Sequence, residues 1–264
     1  MPHEITGATR LCFVVADPVR QVRTPQVLNR VWNERGLDIV TVPAHVQVSG
    51  LTSFVAALRA NESALGAVIT VPHKQSIIEL CDELGPNAQI VGAVNVVRRA
   101  AEGRLVGETF DGLGFVAGLR ERGLEPRGQR AVVLGAGGAA SAVAVALLSA
   151  NVESLDVSNR TEGRANDLAE RLRAAFPTRD IGTGLDRVAA AQLIVNATSI
   201  GMSPSNVSPI PPDIFPTGAL AADVVISAEL TPFLAGAARH GNSTHGGAYM
   251  LNGQIQLIAD YLSA

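Results

Sequence analysis

Short apolar runs alternate with longer amphipathic stretches along most of the chain. Leu11–Ala16, Ile39–Pro43 and Ala67–Val71 are apolar blocks of strand length. Between and after them, Pro25–Arg35, Leu51–Ala60 and Lys74–Leu84 have helical spacing, the third closed by Gly85-Pro86. Val91–Arg98 and Arg104–Gly107 read as two further strands around the polar turn Ala101-Glu-Gly. This alternation predicts a parallel sheet built from right-handed crossovers.

A second alternating run begins near Arg130. Ala131–Leu134, Ser154–Val157, Leu193–Ala197 and Ala219–Ile226 read as strands. Gly138–Ala150, Glu162–Phe176 and Thr231–Arg239 read as helices. Ser203–Pro216 holds five prolines and is read as a loop, either ordered near a site or a plain surface connection. The closing helix, Met250–Ser263, is apolar on one side and suits a return to the first domain. The expected division is 1–109 with 241–264 for one domain and 110–240 for the other.

Composition narrows the function classes. Apolar residues make up 47% and charged residues 17%, as buried strands under two helical layers require. A net charge of -3 supplies no basic field for nucleic acid or an anionic membrane. No apolar run reaches the ~20 residues of a membrane span, and no secretory signal is legible at the N-terminus. Cys12 and Cys81 form neither a disulfide framework nor a metal cluster, and His3, His45, His240 and His245 lack metal spacing. The expectation is a cytoplasmic, small-molecule enzyme, monomeric or homodimeric.

Three stretches carry candidate chemistry. Gly66-Ala-Val-Ile-Thr-Val-Pro-His-Lys74 is a strand-like run that breaks at Pro72 and presents Lys74. A lysine opening a helix is electrostatically unfavourable, which points to a functional reason for it. Phe110-Asp-Gly-Leu-Gly114 sets Asp111 among glycines, a pattern equally suited to a turn aspartate. If the fold joins Lys74 and Asp111, they make a proton-transfer pair. Third, Gly135-Ala136-Gly137-Gly138-Ala139-Ala140 follows a strand and opens a helix, the setting of a dinucleotide fingerprint. Downstream, Arg160 and Arg164 flank Thr161 and match a 2′-phosphate, or are solvated helix-start cations. NADP is favoured. Asp156, at the spacing of a ribose ligand, keeps NAD possible.

With these motifs in place the chain resembles the shikimate dehydrogenases from end to end. The shared segments are Thr70-Val-Pro-His-Lys74, Val91-Gly-Ala-Val-Asn95, Asp111-Gly-x-Gly-Phe115, Gly135-Ala-Gly-Gly-Ala139, Asn159-Arg-Thr161, Asn196-Ala-Thr-Ser-x-Gly-Met202, Thr231-Pro-x-Leu234 and Met250-Leu-x-x-Gln254. The resemblance implies an α/β fold: an N-terminal α/β substrate domain, a Rossmann-type dinucleotide-binding domain, and a C-terminal helix returning to the first domain. It implies NADP-dependent interconversion of 3-dehydroshikimate and shikimate. Lys74 and Asp111 would be catalytic; Thr24, Thr70, Asn95 and Gln254 would contact substrate. Asn159, Arg160, Thr161 and Arg164 would hold the adenosine 2′-phosphate, and Thr198, Ser199 and Met202 would line the nicotinamide side.

Five departures cluster around the implied substrate. Val22 and Thr24 stand where two serines are usual, Val68 where an asparagine is, Thr109-Phe110 where Asn-Thr is, and Ile226 where a tyrosine is. They point to a shikimate-dehydrogenase-like branch with an altered substrate, a close relative of shikimate such as quinate or an amino analogue; Arg20 or Arg23 is either a substitute grip on the carboxylate or a solvated loop cation. A rival reading is a non-catalytic NADP-binding sensor, against which the presence of Lys74, Asp111, Asn95 and Gln254 argues.

Overall fold

The structure is a computed structural model and describes residues 4–202, 207–227 and 230–264. The chain divides into two compact units, residues 1–110 with 255–264 and residues 111–254.

The first unit contains β1 (Arg10–Ala16), α1 (Thr24–Glu34), β2 (Ile39–His45), α2 (Leu51–Ala60), β3 (Ala64–Ile69), β4 (Glu83–Leu84), α3 (Pro86–Val91), β5 (Val96–Arg99) and β6 (Leu105–Glu108). Its sheet runs β2-β1-β3-β5-β6-β4. Val15, Leu51, Val55, Leu58, Ile69 and Val97 are among the buried residues of its core. The sheet is mixed, not the parallel one that the alternation predicts. β5 lies antiparallel to both β3 and β6. Its pairing with β6 follows from the short Ala101–Gly103 turn, where Glu102 (φ 59°) and Gly103 (φ 74°) adopt left-handed backbone and close a hairpin with no crossover.

Two further expectations fail here. Lys74–Leu84 is no helix: residues 71–77 form consecutive turns, followed by a 3₁₀ turn at Ile78–Leu80 and by β4. Gly85-Pro86 opens α3 instead of ending a helix, in keeping with proline's preference for a first helical turn. The strand read from Val91 begins only at Val96.

The second unit contains α4 (Asp111–Glu121), β7 (Arg130–Leu134), α5 (Gly138–Ser149), β8 (Ser154–Ser158), α6 (Glu162–Ala175), β9 (Asp180–Thr183), β10 (Leu193–Asn196), β11 (Leu220–Asp223), α7 (Pro232–Arg239), β12 (Ser243–His245) and the first part of α8 (Gly247–Ser263). All its strands are parallel, in the order β12-β11-β10-β7-β8-β9. Order reverses between β7 and β10, as in the doubly wound dinucleotide-binding fold. β12 pairs with β11 and extends this sheet, and the division between the two units lies inside α8. Of the proline-rich stretch, Ser203–Asn206 lie outside the described residues, and Pro212–Ile214 form a 3₁₀ turn.

α4 replaces the glycine-rich turns expected around Asp111. Its glycines serve close packing. A Cβ on Gly112 would stand 2.0 Å from the Ala142 carbonyl oxygen of α5, and one on Gly118 would stand 2.6 Å from the Tyr249 carbonyl oxygen of α8. The alanines of α5, including the buried Ala142 and Ala146, admit the same approach from the other side. Among the described residues, no helix is long and apolar enough to cross a membrane.

Candidate active site

In the first unit, the predicted residues gather where β1 and β3 end and β5 begins. Ligands in open α/β sheets bind beyond the carboxyl ends of parallel strands. Because β5 runs antiparallel, its first residues adjoin the end of β3: the Ile69 amide donates to the Asn95 carbonyl at 2.7 Å. Thr70 follows β3 directly, and its amide donates to the Val15 carbonyl at 3.0 Å. The turn then carries the half-buried Lys74, whose carbonyl accepts the Val94 amide at 2.8 Å. Thr70, Lys74 and Asn95 are therefore set beside one another by main-chain bonds. Asn95 is buried, and its Oδ1 accepts the Phe110 amide at 2.9 Å. Thr24 opens α1 after a loop whose root is tied to the same turn, the Asp17 amide donating to the Val71 carbonyl at 3.1 Å. Buried His73 latches the turn from behind, its Nε2 lying 2.7 Å from the Val46 carbonyl.

In the second unit, Asp111 is the buried first residue of α4. Gln254 lies on α8, and a Cβ on Gly114, one turn after Asp111, would come within 2.5 Å of its Cβ. The glycine loop occupies the switch point. Gly135 has φ 116°, donates to the Ser158 carbonyl at 2.7 Å, and leaves only 2.9 Å between a built Cβ and the Ala197 oxygen. Only glycine meets both demands. Gly137 caps α5, and a Cβ there meets nothing within 4 Å, so its backbone faces open space. With Ala136, Gly138 and Ala139 it forms a helix N-terminus of the kind that receives a pyrophosphate, so the cradle fits a dinucleotide.

Past β8, Asn159 Nδ2 donates to the Thr161 carbonyl at 3.0 Å and shapes the turn into α6. Arg160 and Arg164 are exposed and enter none of the described ion pairs. Past β10, half-buried Thr198 and exposed Ser199 and Met202 form the neighbouring loop, next to Gly135. Asp156 takes a different place from the ribose position: it is buried within β8 and gripped by Arg187.

Two groups escaped the sequence reading. Glu108, buried at the end of β6, accepts the Ala88 and Thr109 amides at 2.9 and 2.7 Å. Gly85 makes room for it, since a Cβ there would sit 2.1 Å from Glu108 Oε2. Asp223, wholly buried, ends β11 and accepts from Thr231, Val225 and Asn196. Burial pushes its carboxyl above the usual range against those three donors. An acidic residue closing an otherwise apolar strand is the signal that marks both. Among the described residues, no group of three or more His, Cys, Asp or Glu is arranged to hold a metal.

Residues 14–97 match the family model of the shikimate dehydrogenase substrate binding domain, and residues 120–204 that of shikimate / quinate 5-dehydrogenase. A shikimate dehydrogenase (NADP(+)) of Rubrobacter xylanophilus is 38% identical over 94% of this chain and 88% of its own length. A shikimate 5-dehydrogenase of Thermus thermophilus, solved with NADP(H) and shikimate, superposes with a TM-score of 0.87 at 33% identity, covering 97% of this chain and 94% of that one. That of Listeria monocytogenes, solved with shikimate and NAD, gives 0.90 at 28% identity, covering 100% and 94%. With two family models in tandem and relatives matching over nearly its whole length, the chain belongs to the shikimate dehydrogenase family.

Proposed function

We propose that this protein is an NADP-dependent oxidoreductase interconverting 3-dehydroshikimate and shikimate, or a closely related cyclic hydroxy acid. The observation that carries the reading is the glycine loop at the switch point, with Arg160 and Arg164 exposed beyond the next strand. Gly135, Ala136, Gly137, Gly138 and Ala139 would take the pyrophosphate. Asn159, Arg160, Thr161 and Arg164 would hold the 2′-phosphate, guanidinium forks matching phosphate geometry. Thr198, Ser199 and Met202 would bound the nicotinamide, which when bound supplies the hydride.

Lys74 is the proton donor to the carbonyl oxygen in reduction and takes the proton back in oxidation. Asp111 is the second catalytic residue of this reading. Asn95, Gln254, Thr70 and Thr24 bind the substrate's hydroxyl and carboxylate oxygens. All four carry hydrogen-bonding side chains, and the presence of the whole set supports catalysis over sensing. Val22 and Ile226, apolar where the family is polar, favour a relative of shikimate such as quinate or an amino analogue as a second reading. Cys12 is buried and Cys81 half-buried, both as free thiols, which suits a reducing compartment; we place the enzyme in the cytoplasm, as a monomer or homodimer.

The test is a turnover screen of NADP⁺ and NAD⁺ against shikimate, quinate and aminoshikimate. NADP⁺-linked oxidation of at least one is the expected result. Absence of turnover with all six pairs overturns the proposal.

A further inference from the structure

We propose that Asp223 is a positioning residue for the reaction, setting the loop that carries Thr198, Ser199 and Met202. This rests on the reading that the loop bounds the nicotinamide. Asn196 and Asp223 are the last residues of β10 and β11 and stand opposite one another in register. Both are fully buried. A carboxylate only accepts hydrogen bonds, so it dictates which end of the Asn196 amide faces it. Asn196 Nδ2 donates to Asp223 Oδ1 at 3.1 Å and to the Ile200 carbonyl at 3.0 Å. The opposite end, Oδ1, is thereby turned to the loop, where it accepts the Thr198 amide at 3.1 Å and the Thr198 hydroxyl at 2.7 Å. Thr198 Oγ1 in turn accepts the Ile200 amide at 3.1 Å. The loop is wound around one amide group, and that amide is oriented by Asp223.

A second arm reaches the same loop. Thr231 donates its hydroxyl to Asp223 Oδ2 at 2.6 Å and, as the cap of α7, accepts the Leu234 amide at 3.3 Å. Its methyl carbon lies 3.3 Å from where a Cβ on Gly201 would be, and Gly201 has φ 101°. Asp223 thus fixes the loop at Thr198 through Asn196 and at Gly201 through Thr231. A neutral amide at 223 removes this control, since either end of it can face Asn196.

The experiment compares NADP⁺ with 2′-phospho-ADP-ribose, which lacks the nicotinamide, as ligands of the wild type, Asp223→Asn and Thr231→Val. The second variant removes the hydroxyl donor at nearly constant shape and serves if Asp223→Asn fails to fold. We expect kcat to fall about ten- to a hundredfold, the scale of a small misplacement at a reacting centre. Affinity for 2′-phospho-ADP-ribose should stay within about twofold, and NADP⁺ alone should weaken. Unchanged kcat in the folded variants overturns the assignment. So does equal weakening of both ligands, which marks Asp223 as merely structural. A wild type that binds neither ligand overturns the NADP reading and the assignment together, whereas a wild type that binds both beside unaffected variants overturns the assignment alone.

Discussion

Arg187 closes on the carboxylate of Asp156, with Nε 2.9 Å from Oδ2 and Nη2 2.5 Å from Oδ1. Its Nη1 reaches Asp180 Oδ2 at 2.5 Å, and the two carboxylates raise the arginine pKa further above its already high value. Gly182, opposite Asp156 on β9, leaves the space for this pair, because a Cβ there would lie 2.1 Å from Asp156 Oδ1. The one acidic residue at ribose spacing is therefore committed inside the sheet. On the proposed function, discrimination between cofactors is expected to fall to Arg160 and Arg164. Asp156→Asn is expected to leave the ratio of NADP to NAD affinity within about twofold. It should lower stability by about 1–3 kcal/mol, less than a fully buried pair because Arg187 is partly exposed. Replacing Arg160 and Arg164 by alanine should collapse the ratio about tenfold or more, on the scale of charge-assisted hydrogen bonds. Cofactor titrations and urea unfolding measure these effects. A ratio that follows Asp156 instead restores it as the ribose ligand.

Lys74→Ala should remove about 10²–10⁴-fold in kcat, the usual share of a general acid–base group. NADP binding should stay nearly unchanged. The turn is held by main-chain bonds, such as Val94 to the Lys74 carbonyl, and these survive truncation of the side chain. Steady-state kinetics and cofactor titration decide it, and near-native kcat would make Lys74 a bystander.

Turnover of shikimate should be present but poor. Val22 is half-buried in the loop between β1 and α1 and has no side-chain donor for a carboxylate. An unmet polar contact costs about 1–3 kcal/mol, roughly ten- to a hundredfold in transition-state binding. Val22→Ser should lower KM for shikimate with little effect on NADP. A wild-type kcat/KM above ~10⁶ M⁻¹s⁻¹ would show that other groups, such as Arg20 or Arg23, already hold the carboxylate.

Gly112→Ala should destabilise strongly, although alanine is the better helix former by about 1 kcal/mol. The added Cβ would meet the Ala142 carbonyl at 2.0 Å and the Ala146 Cβ at 2.9 Å. Separating α4 from α5 costs about 1–3 kcal/mol or more, as overpacking does. A denaturation midpoint equal to or above the wild type would contradict the close packing.

Stability should fall on acidification through His245. Burial, helped by the charge of Arg122, depresses this imidazole from 6.5 to about 4. It is packed edge-on to Phe115 and stacked on Tyr249, 4.8 Å between centroids, and the Arg122 guanidinium lies over the Tyr249 ring, 5.1 Å from its centroid. The unfolded chain therefore takes up the proton first. The contribution is intact above about pH 6.5, declines as the pH drops, and levels off near 4, with a total on the order of 3 kcal/mol. Urea midpoints between pH 7.5 and 4.5 should show the decline, and His245→Phe should flatten it. A variant with the same slope as the wild type would assign the effect elsewhere.

Much of this protein was legible from its sequence. Mostly apolar blocks bounded by turn residues located β1, β2, β3, β7, β8 and β10, because burial between helical layers demands predominantly apolar side chains. The glycine loop was legible because a tight turn and a close backbone approach leave glycine alone at Gly135. Tertiary structure decided the rest. The glycines of α4 read as turn residues, since propensity disfavours them in helices; only the nearness of α5 and α8 shows why no side chain fits. Lys74 looked like a helix start, yet its turn is held by Val94 and, through His73, by Val46, partners distant in sequence. β5 is antiparallel to β6 because a three-residue turn is too short for a crossover, and its separate pairing with β3 lays Asn95 beside Thr70. Asp156 and Asp223 are each one carboxylate in an apolar strand, alike in sequence. Their partners, Arg187 for one and Asn196 with Thr231 for the other, give them different work, and partnership across strands is decided by the folded chain alone.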